Sequence, residues 1–230
     1  MLTGQTRGHE TSRIEAFSDG VFAFALTLLV VSLEVPRTYD DLLETMRGFP
    51  AFGACFAILV WIWVEHYRFF RTYKLADGVT ILLNSVLLFV VLFYIYPLKF
   101  MFTFLARLLF GMGAARDQLA LTGMSMEGSA DLLVIYGLGF VAVFGVFALL
   151  YWRAFAVAST LGLSRAHTRS AWIGMRSHLL SVAVGLSSIA LVLLLPPRMI
   201  GLAGFIYSSL GPLHAVHGWL SHRGPVEANG

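Results

Sequence analysis

The sequence predicts an all-α integral membrane protein with six transmembrane helices. Of its 230 residues, 58% are hydrophobic and 13% are charged, whereas soluble domains average roughly 45–50% and 25%. Long apolar stretches recur along the chain, and each is near the roughly 20 residues that a helix needs to cross a bilayer. Short connections leave no room for a soluble domain, so 1–230 is expected to form a single transmembrane domain. The predicted spans are residues 17–34, 50–70, 79–98, 131–152, 176–195 and 199–219.

The first span follows a polar segment, residues 1–13, which lacks the apolar stretch of a secretory signal and is expected to be a short tail. After the span, Pro36 and the acidic run 39–44 are typical of an external loop. The second and third spans are joined by the short basic segment 71–78, so they are expected to be antiparallel neighbours.

The third span contains a proline, Pro97, which is expected to end or kink the helix because it lacks a backbone N–H. Residues 99–111 keep a helical spacing of apolar residues, so an extension or an interfacial helix is predicted there and not a seventh span. The Gly-rich segment 111–129 shows no sustained period and is expected to be the longest external loop.

The fourth and fifth spans are separated by 161–172, a second basic connection, and Pro196 and Pro197 predict a tight turn before the sixth. Basic residues accumulate on cytoplasmic loops, so the charge distribution favours an orientation with both termini inside. Cys55 is the only cysteine, which excludes an intrachain disulfide. In this orientation ten of the sixteen basic residues lie inside: Arg7, Arg13, Arg68, Arg71, Lys74, Arg153, Arg165, Arg169, Arg176 and Arg223.

Polar residues open the first span, where a charged group at membrane depth costs about 2.5–3.5 kcal/mol. Ser18 and Asp19 can accept hydrogen bonds, and Trp63, His66 and Asn84 on the next two spans can donate them. All five lie toward the predicted cytoplasmic ends of their helices, so a shared network that satisfies a buried carboxylate is expected. The alternatives are a helix-capping role for the first two, an interfacial aromatic at 63 and an exposed helix-end histidine at 66.

Residues 13–36 resemble the signature first helix of the bacterial members of the transmembrane-protein-175 family of potassium channels. The hallmark of that helix is R-x-x-x-F-S-D followed by a small residue. The resemblance covers the first three helices, whereas the last three match in number and hydrophobicity only. Matching residues are Arg13, Phe17, Ser18, Asp19, Gly20, Thr27, Pro36, Trp63, His66, Arg68, Asn84 and Pro97.

The resemblance implies a homotetramer whose pore is lined by four copies of the first helix. The family's hydrophobic constriction, threonine layer and next pore residue fall on Phe24, Thr27 and Val31, and with Gly20 their helical spacing forms one stripe. Threonine hydroxyls around an axis can replace part of a cation's hydration shell, and large apolar side chains can close the path as a hydrophobic gate. The alternative for the threonine is a hydroxyl bonded to its own helix carbonyl. The phenylalanine departs from the isoleucine or leucine that the family pattern implies.

The expected function is therefore passive, potassium-over-sodium conduction in the cell membrane. The expected partners are monovalent cations, the lipid bilayer and further copies of the chain, with no nucleic acid. No cofactor, resident metal or enzymatic activity is predicted; potassium is the permeant ion. The alternative is a proton-coupled transporter or proton-permeable channel that uses Asp19 and His66. A metal site at His214 and His217 is disfavoured because no carboxylate or cysteine stands near them in the sequence.

Overall fold

A computed structural model describes residues 3–32, 35–109, 126–196 and 201–222, and helices make up most of these residues. Short connections join α2 to α3, α3 to α4 and α5 to α6. The elements are α1 (Thr3–Val31), α2 (Tyr39–Arg47), α3 (Phe49–Tyr73), α4 (Gly78–Leu109), α5 (Met126–Ala156), α6 (Arg165–Leu194), α7 (Gly201–Phe205), a 3-10 segment (Ile206–Ser209) and α8 (Leu210–His222).

Five of the described helices are long and apolar enough to cross a membrane. The predicted sixth span, 199–219, is not one continuous α-helix, because α7, the 3-10 segment and α8 divide it. Pro212 explains the division in part, since it lacks the N–H that an α-helix would bond to the carbonyl of Ser208. The membrane-capable segments are Arg13–Val31, Phe49–Tyr73, Gly78–Thr103, Ala130–Ala156 and Arg165–Leu194.

Two segments predicted to be a polar tail and an external loop are helical. The predicted tail belongs to α1 from residue 3 onward. The acidic run 39–44 belongs to α2, where a capping box starts the helix. In that box Asp41 N donates to Thr38 Oγ1 (3.1 Å) and Thr38 N donates to Asp41 Oδ2 (3.0 Å).

The sequence predicts that Pro97 ends or kinks the helix; α4 continues through it to Leu109, so the first of these two expectations is wrong. A proline removes one backbone hydrogen bond, and the apolar residues on both sides keep the remaining bonds of a membrane helix intact. Residues 99–109 are therefore an extension of α4. Of the predicted external loop, 126–129 form the start of α5, and the remainder lies outside the described residues, as does Pro197.

The helices pack into one bundle. The antiparallel pair α5–α6 has the most extensive interface, and α4 joins this pair to α1 and α3. Glycines allow the closest approaches: a Cβ on Gly139 would lie 2.1 Å from the Tyr94 ring, and one on Gly174 would lie 2.4 Å from the Tyr151 ring. The arrangement leaves α1 on one side of the bundle, packed on α3 and α4.

Candidate functional site

Two opposite faces distinguish α1. One face, at residues 18, 22, 25 and 29, is buried against the bundle; the other, at residues 20, 24, 27 and 31, is exposed in the single chain. Both sets repeat with the helical spacing four, three, four. At about 100° per residue, their centres lie about 160° apart around the helix. The stripe singled out from the sequence therefore points away from the chain's own bundle.

The exposed stripe combines one hydroxyl with large apolar groups. Phe24 and Val31 are 55% and 71% exposed, and a Cβ on Gly20 would meet nothing within 4 Å. Thr27 Oγ1 donates to Ala23 O at 2.9 Å, the local bond that the sequence left open as an alternative. This bond occupies the hydroxyl proton and leaves the oxygen lone pairs on the exposed face available to a cation.

A chain of buried hydrogen bonds joins α1 to α4 and α3. Asn84 Nδ2 donates to Ser18 Oγ at 3.0 Å, and His66 Nε2 lies 2.8 Å from Asn84 Oδ1. Because an amide oxygen only accepts, His66 carries its proton on Nε2 in this arrangement. Ser18, Asn84 and His66 are 0%, 3% and 1% exposed. The reading of His66 as an exposed helix-end residue is therefore wrong, and the bonds satisfy polar groups that would be costly to bury unpaired.

The carboxylate of Asp19 forms a separate contact. Trp63 Nε1 donates to Asp19 Oδ1 at 2.7 Å, and Asp19 is exposed in the single chain, so the expectation of a buried carboxylate is wrong. Its position on the helix explains this, since it follows Ser18 by one residue and points about 100° away from the buried face. No hydrogen bond joins Asp19 to His66, both of which the structure describes.

The remaining motif residues do not join these contacts. Arg13 and Phe17 are exposed, whereas Arg68 forms an ion pair with Glu65, with 2.9 Å between Arg68 Nη1 and Glu65 Oε1. Among the motif residues of α1, Ser18 and Asp19 therefore bind the helix to the bundle, whereas Arg13 and Phe17 remain exposed.

The C-terminal end of α1 is held by Lys99, a residue that the sequence analysis did not single out. Lys99 Nζ, on α4, donates to Ser32 O at 2.6 Å and lies 2.8 Å from Ser32 Oγ. A cation at a helix C-terminus pairs with carbonyls that have no partner within the helix and interacts favourably with the helix dipole. The two residues are 67 positions apart, so no local pattern could have indicated the contact.

A third polar contact lies at the end of the bundle where α3 and α4 connect. Asp77 Oδ1 accepts from Val79 N (3.1 Å), Asp77 Oδ2 accepts from Thr80 Oγ1 (2.6 Å), and Arg153 Nη2 lies 3.2 Å from Asp77 Oδ1. Partial burial raises the pKa of Asp77, but the Thr80 hydrogen bonds and the charge of Arg153 outweigh this, so its pKa lies below the ordinary value. The contact ties this connection to the end of α5.

Two histidines of the second half of the chain, His214 and His178, lie between helices. His214, on α8, lies between two hydroxyls of α6, with Nδ1 3.0 Å from Ser177 Oγ and Nε2 2.9 Å from Ser181 Oγ. His178 is buried against the Phe147 ring at a centroid distance of 5.1 Å. Within the described residues, no group of three or more His, Cys, Asp or Glu side chains is placed to hold a metal ion.

Comparison with known proteins gives concordant matches. Residues 13–94 match the family described as the endosomal/lysosomal potassium channel TMEM175. A protein of Marivirga tractuosa named potassium channel is 41% identical over 222 residues, which cover 94% of this chain and 90% of that protein. A protein of Chamaesiphon minutus named potassium channel is 40% identical over 96 residues, 38% of this chain and 47% of its own length.

Solved structures resemble the whole bundle. A crystal structure of the T38A variant of the potassium channel MtTMEM175, bound to a nanobody–MBP fusion, matches with a TM-score of 0.81 and 40% identity over 92% of this chain and 94% of its own. The crystal structure of a lysosomal potassium-selective channel TMEM175 homolog from Chamaesiphon minutus matches with a TM-score of 0.58 and 25% identity over 93% and 98%. The similarity therefore extends through the later helices, beyond the three that the sequence resemblance covered.

Proposed function

This chain belongs to the TMEM175 family of potassium channels, and from that premise we propose that α1 lines the pore of a homotetrameric, potassium-over-sodium channel. The protein is a multi-pass integral membrane protein, and its relatives are channels and not enzymes. The proposal concerns the path of the ion and the residues that select it.

One observation carries the proposal: the stripe of α1 faces away from the bundle that holds the opposite side of the same helix. A helix that lines a shared axis needs one face packed on its own bundle and an opposite face that is left uncovered. The buried face and the bonds at Ser18, Asp19 and Ser32 fix its position on α3 and α4. The exposed face is left for the axis, where four copies would meet.

In the proposed pore each stripe residue has a chemical role. Four Thr27 oxygens take the place of water molecules around a potassium ion, since their protons are directed to the helix backbone. Rings of Phe24 and Val31 lie one turn to each side and form the hydrophobic gate, which closes the path by steric block or dewetting. Gly20 widens the path on the predicted cytoplasmic side.

The proposed topology has six spans in a single domain, 1–230, with both termini in the cytoplasm. The sixth span consists of α7, the 3-10 segment and α8 in succession, from Gly201 to His222. At roughly 1.5 Å per residue or more, 22 helical residues reach across the roughly 30 Å of a bilayer core.

The alternative of proton-coupled transport through Asp19 and His66 receives less support. The two side chains have separate partners, Trp63 and Asn84, and these bonds serve to hold helices together. A coupled transporter would show saturating flux that depends on a pH gradient, whereas a pore would conduct potassium without one.

The test is the reversal potential of the purified protein in planar bilayers with potassium on one side and sodium on the other. We expect the wild-type reversal potential to be displaced from zero in the direction that indicates higher permeability to potassium than to sodium, and that of Thr27→Ala to lie markedly closer to zero. Ser187→Ala is the matched control, because that exposed α6 hydroxyl makes the same type of bond, to Ala183 O at 2.8 Å. An unchanged reversal potential in Thr27→Ala would contradict the proposed threonine layer.

If the wild type carries no current, Phe24→Ala separates the two remaining explanations. A closed hydrophobic gate should then open and conduct, because the constriction loses its large side chains. A transporter should stay silent.

A further inference from the structure

A groove of about 460 Å³ lies at one end of the bundle, between the end of α5 and the first turns of α6. Its volume falls within the range of about 300–1,000 Å³ that is typical of ligand sites. The groove has no part in the proposed pore, because none of its residues belongs to α1. It is lined by Phe155, Leu163, Arg165, Thr168, Arg169 and Trp172.

One wall of the groove is cationic. Arg165 and Arg169 lie four residues apart on α6, so they project from the same side of the helix, and both are exposed. Arg169 Nη2 donates to Ser221 O at 2.9 Å, at the end of α8. That bond uses one of the five N–H donors of a guanidinium, and the planar group can still bind an anion through two others.

The other wall is aromatic and exposed. The Phe155 and Trp172 rings lie 5.3 Å apart, and 38% and 42% of these residues remain exposed. Trp172 lies seven residues beyond Arg165 along a membrane-capable helix, about 10 Å deeper at 1.5 Å per residue. Cations at headgroup depth and aromatic rings toward the hydrocarbon match the layering of a membrane interface.

This end of the bundle is also the basic end. The contact between Arg153 and Asp77 places the end of α5 beside the α3–α4 connection. Lys74 lies in that connection, and Arg71 lies in the last turn of α3. Each such basic residue near a surface of anionic lipid contributes about 1 kcal/mol of attraction. The local charge therefore favours a negatively charged ligand from the membrane itself.

We propose that this groove binds the headgroup of an anionic phospholipid, with Arg165 and Arg169 on the phosphate and the start of an acyl chain along Phe155 and Trp172. A free phosphate ion would use the arginines but would leave the aromatic wall uncovered. A zwitterionic lipid would bring a choline cation toward two guanidinium groups. The proposal does not depend on ion conduction, so it can fail or succeed separately from the pore.

The test titrates the purified full-length protein in detergent with phosphatidylglycerol or phosphatidylcholine of identical acyl chains and counts bound lipids by native mass spectrometry. We expect preferential binding of phosphatidylglycerol and at least about a five-fold loss in Arg165→Gln, because this variant removes a charge-assisted hydrogen bond to the phosphate. Arg71→Gln is the matched control, because it removes the same charge from an exposed position at the same end of the bundle, outside the groove. Trp172→Leu should weaken binding without a change of charge.

Three results would overturn the proposal. The first is equal binding of the two lipids, and the second is an equal loss in Arg71→Gln, which would indicate only a general surface attraction. The third is full displacement of phosphatidylglycerol by millimolar inorganic phosphate, which would indicate a site for a free anion. If Arg165→Gln does not fold, Arg169→Lys decides the question. This variant keeps the charge but loses the bidentate geometry of the guanidinium, so its affinity for phosphatidylglycerol should still fall.

Discussion

At the residue scale, hydrogen bonds attach α1 to the bundle at Ser18 and Asp19, near its middle, and at Ser32, just beyond Val31, where Lys99 is the donor. We expect Lys99→Met to lower the free energy of unfolding by about 1–2 kcal/mol, because the carbonyl of Ser32 loses a charged donor. Lys99→Arg should retain most of the stability, since it keeps the charge and the donors. Thermal unfolding of the protein in detergent measures the difference. Equal stability of Lys99→Met and Lys99→Arg would show that the contact does not stabilise the helix end.

The Asp77 carboxylate gives the protein a specific pH dependence. Its pKa in the folded protein lies below the ordinary value of 3.8. Its contribution to stability is therefore complete above the ordinary value and is lost as the pH falls through the lower, folded pKa. We expect the difference in melting temperature between wild type and Asp77→Asn to be largest at neutral pH and to shrink well below pH 3.8. A difference that stays constant with pH would contradict this account.

Residue types and approximate depth in the membrane were enough to predict that Ser18, Asn84 and His66 interact, because each carries a polar group that needs a hydrogen-bond partner inside a membrane. The structure places hydrogen bonds among them. The same reasoning did not separate Asp19 from this set, since the direction of a side chain around a helix depends on which face packs. Nor did it find Lys99, whose partner is a backbone carbonyl and has no sequence signal.

At the element scale, glycines set the distance between helices. A Cβ on Gly139 would lie 2.1 Å from the Tyr94 ring, which cannot move easily because it is buried and its hydroxyl donates to Tyr136 O at 2.8 Å. We expect Gly139→Ala to cost about 1–3 kcal/mol of stability through overpacking. Gly145→Ala is the control on the same helix, where a Cβ meets nothing within 4 Å and the helix should gain up to about 1 kcal/mol. Similar melting temperatures for the two variants would show that α4 and α5 do not pack as described.

The positions of the long helices follow from hydrophobicity, but their ends do not. Pro97 and the acidic run 39–44 carry signals of helix ends and loops, and the structure has helices at both. At Pro97, contacts with the bilayer and the bundle outweigh one missing hydrogen bond. At residues 39–44, a capping box starts a short helix. The segment 199–219 shows the reverse: hydrophobicity predicted one simple span, whereas a 3-10 segment divides it, in part because Pro212 lacks a backbone N–H.

At the scale of the whole molecule, the bundle presents α1 as a helix with one side fixed and one side exposed. Composition and the length of the apolar stretches predicted the membrane class, and the family resemblance, supported by helical spacing, predicted the stripe. The side of the bundle on which the stripe lies could not be predicted from one sequence, since it depends on how α3 and α4 pack against α1. The central claim of the account is that this exposed side lines the ion path.

The most direct test of this claim is block of single-channel current by a cationic thiol reagent. Cys55 is the only cysteine and is 0% exposed, so the wild type is an unreactive background. The account predicts that Val31→Cys loses its current on addition of the reagent, with protection by high potassium. Phe93→Cys on α4 should be unaffected, although the native side chains are equally exposed, at 71% and 72%. Unblocked current in Val31→Cys with the thiol labelled to completion would contradict the placement of the pore on α1.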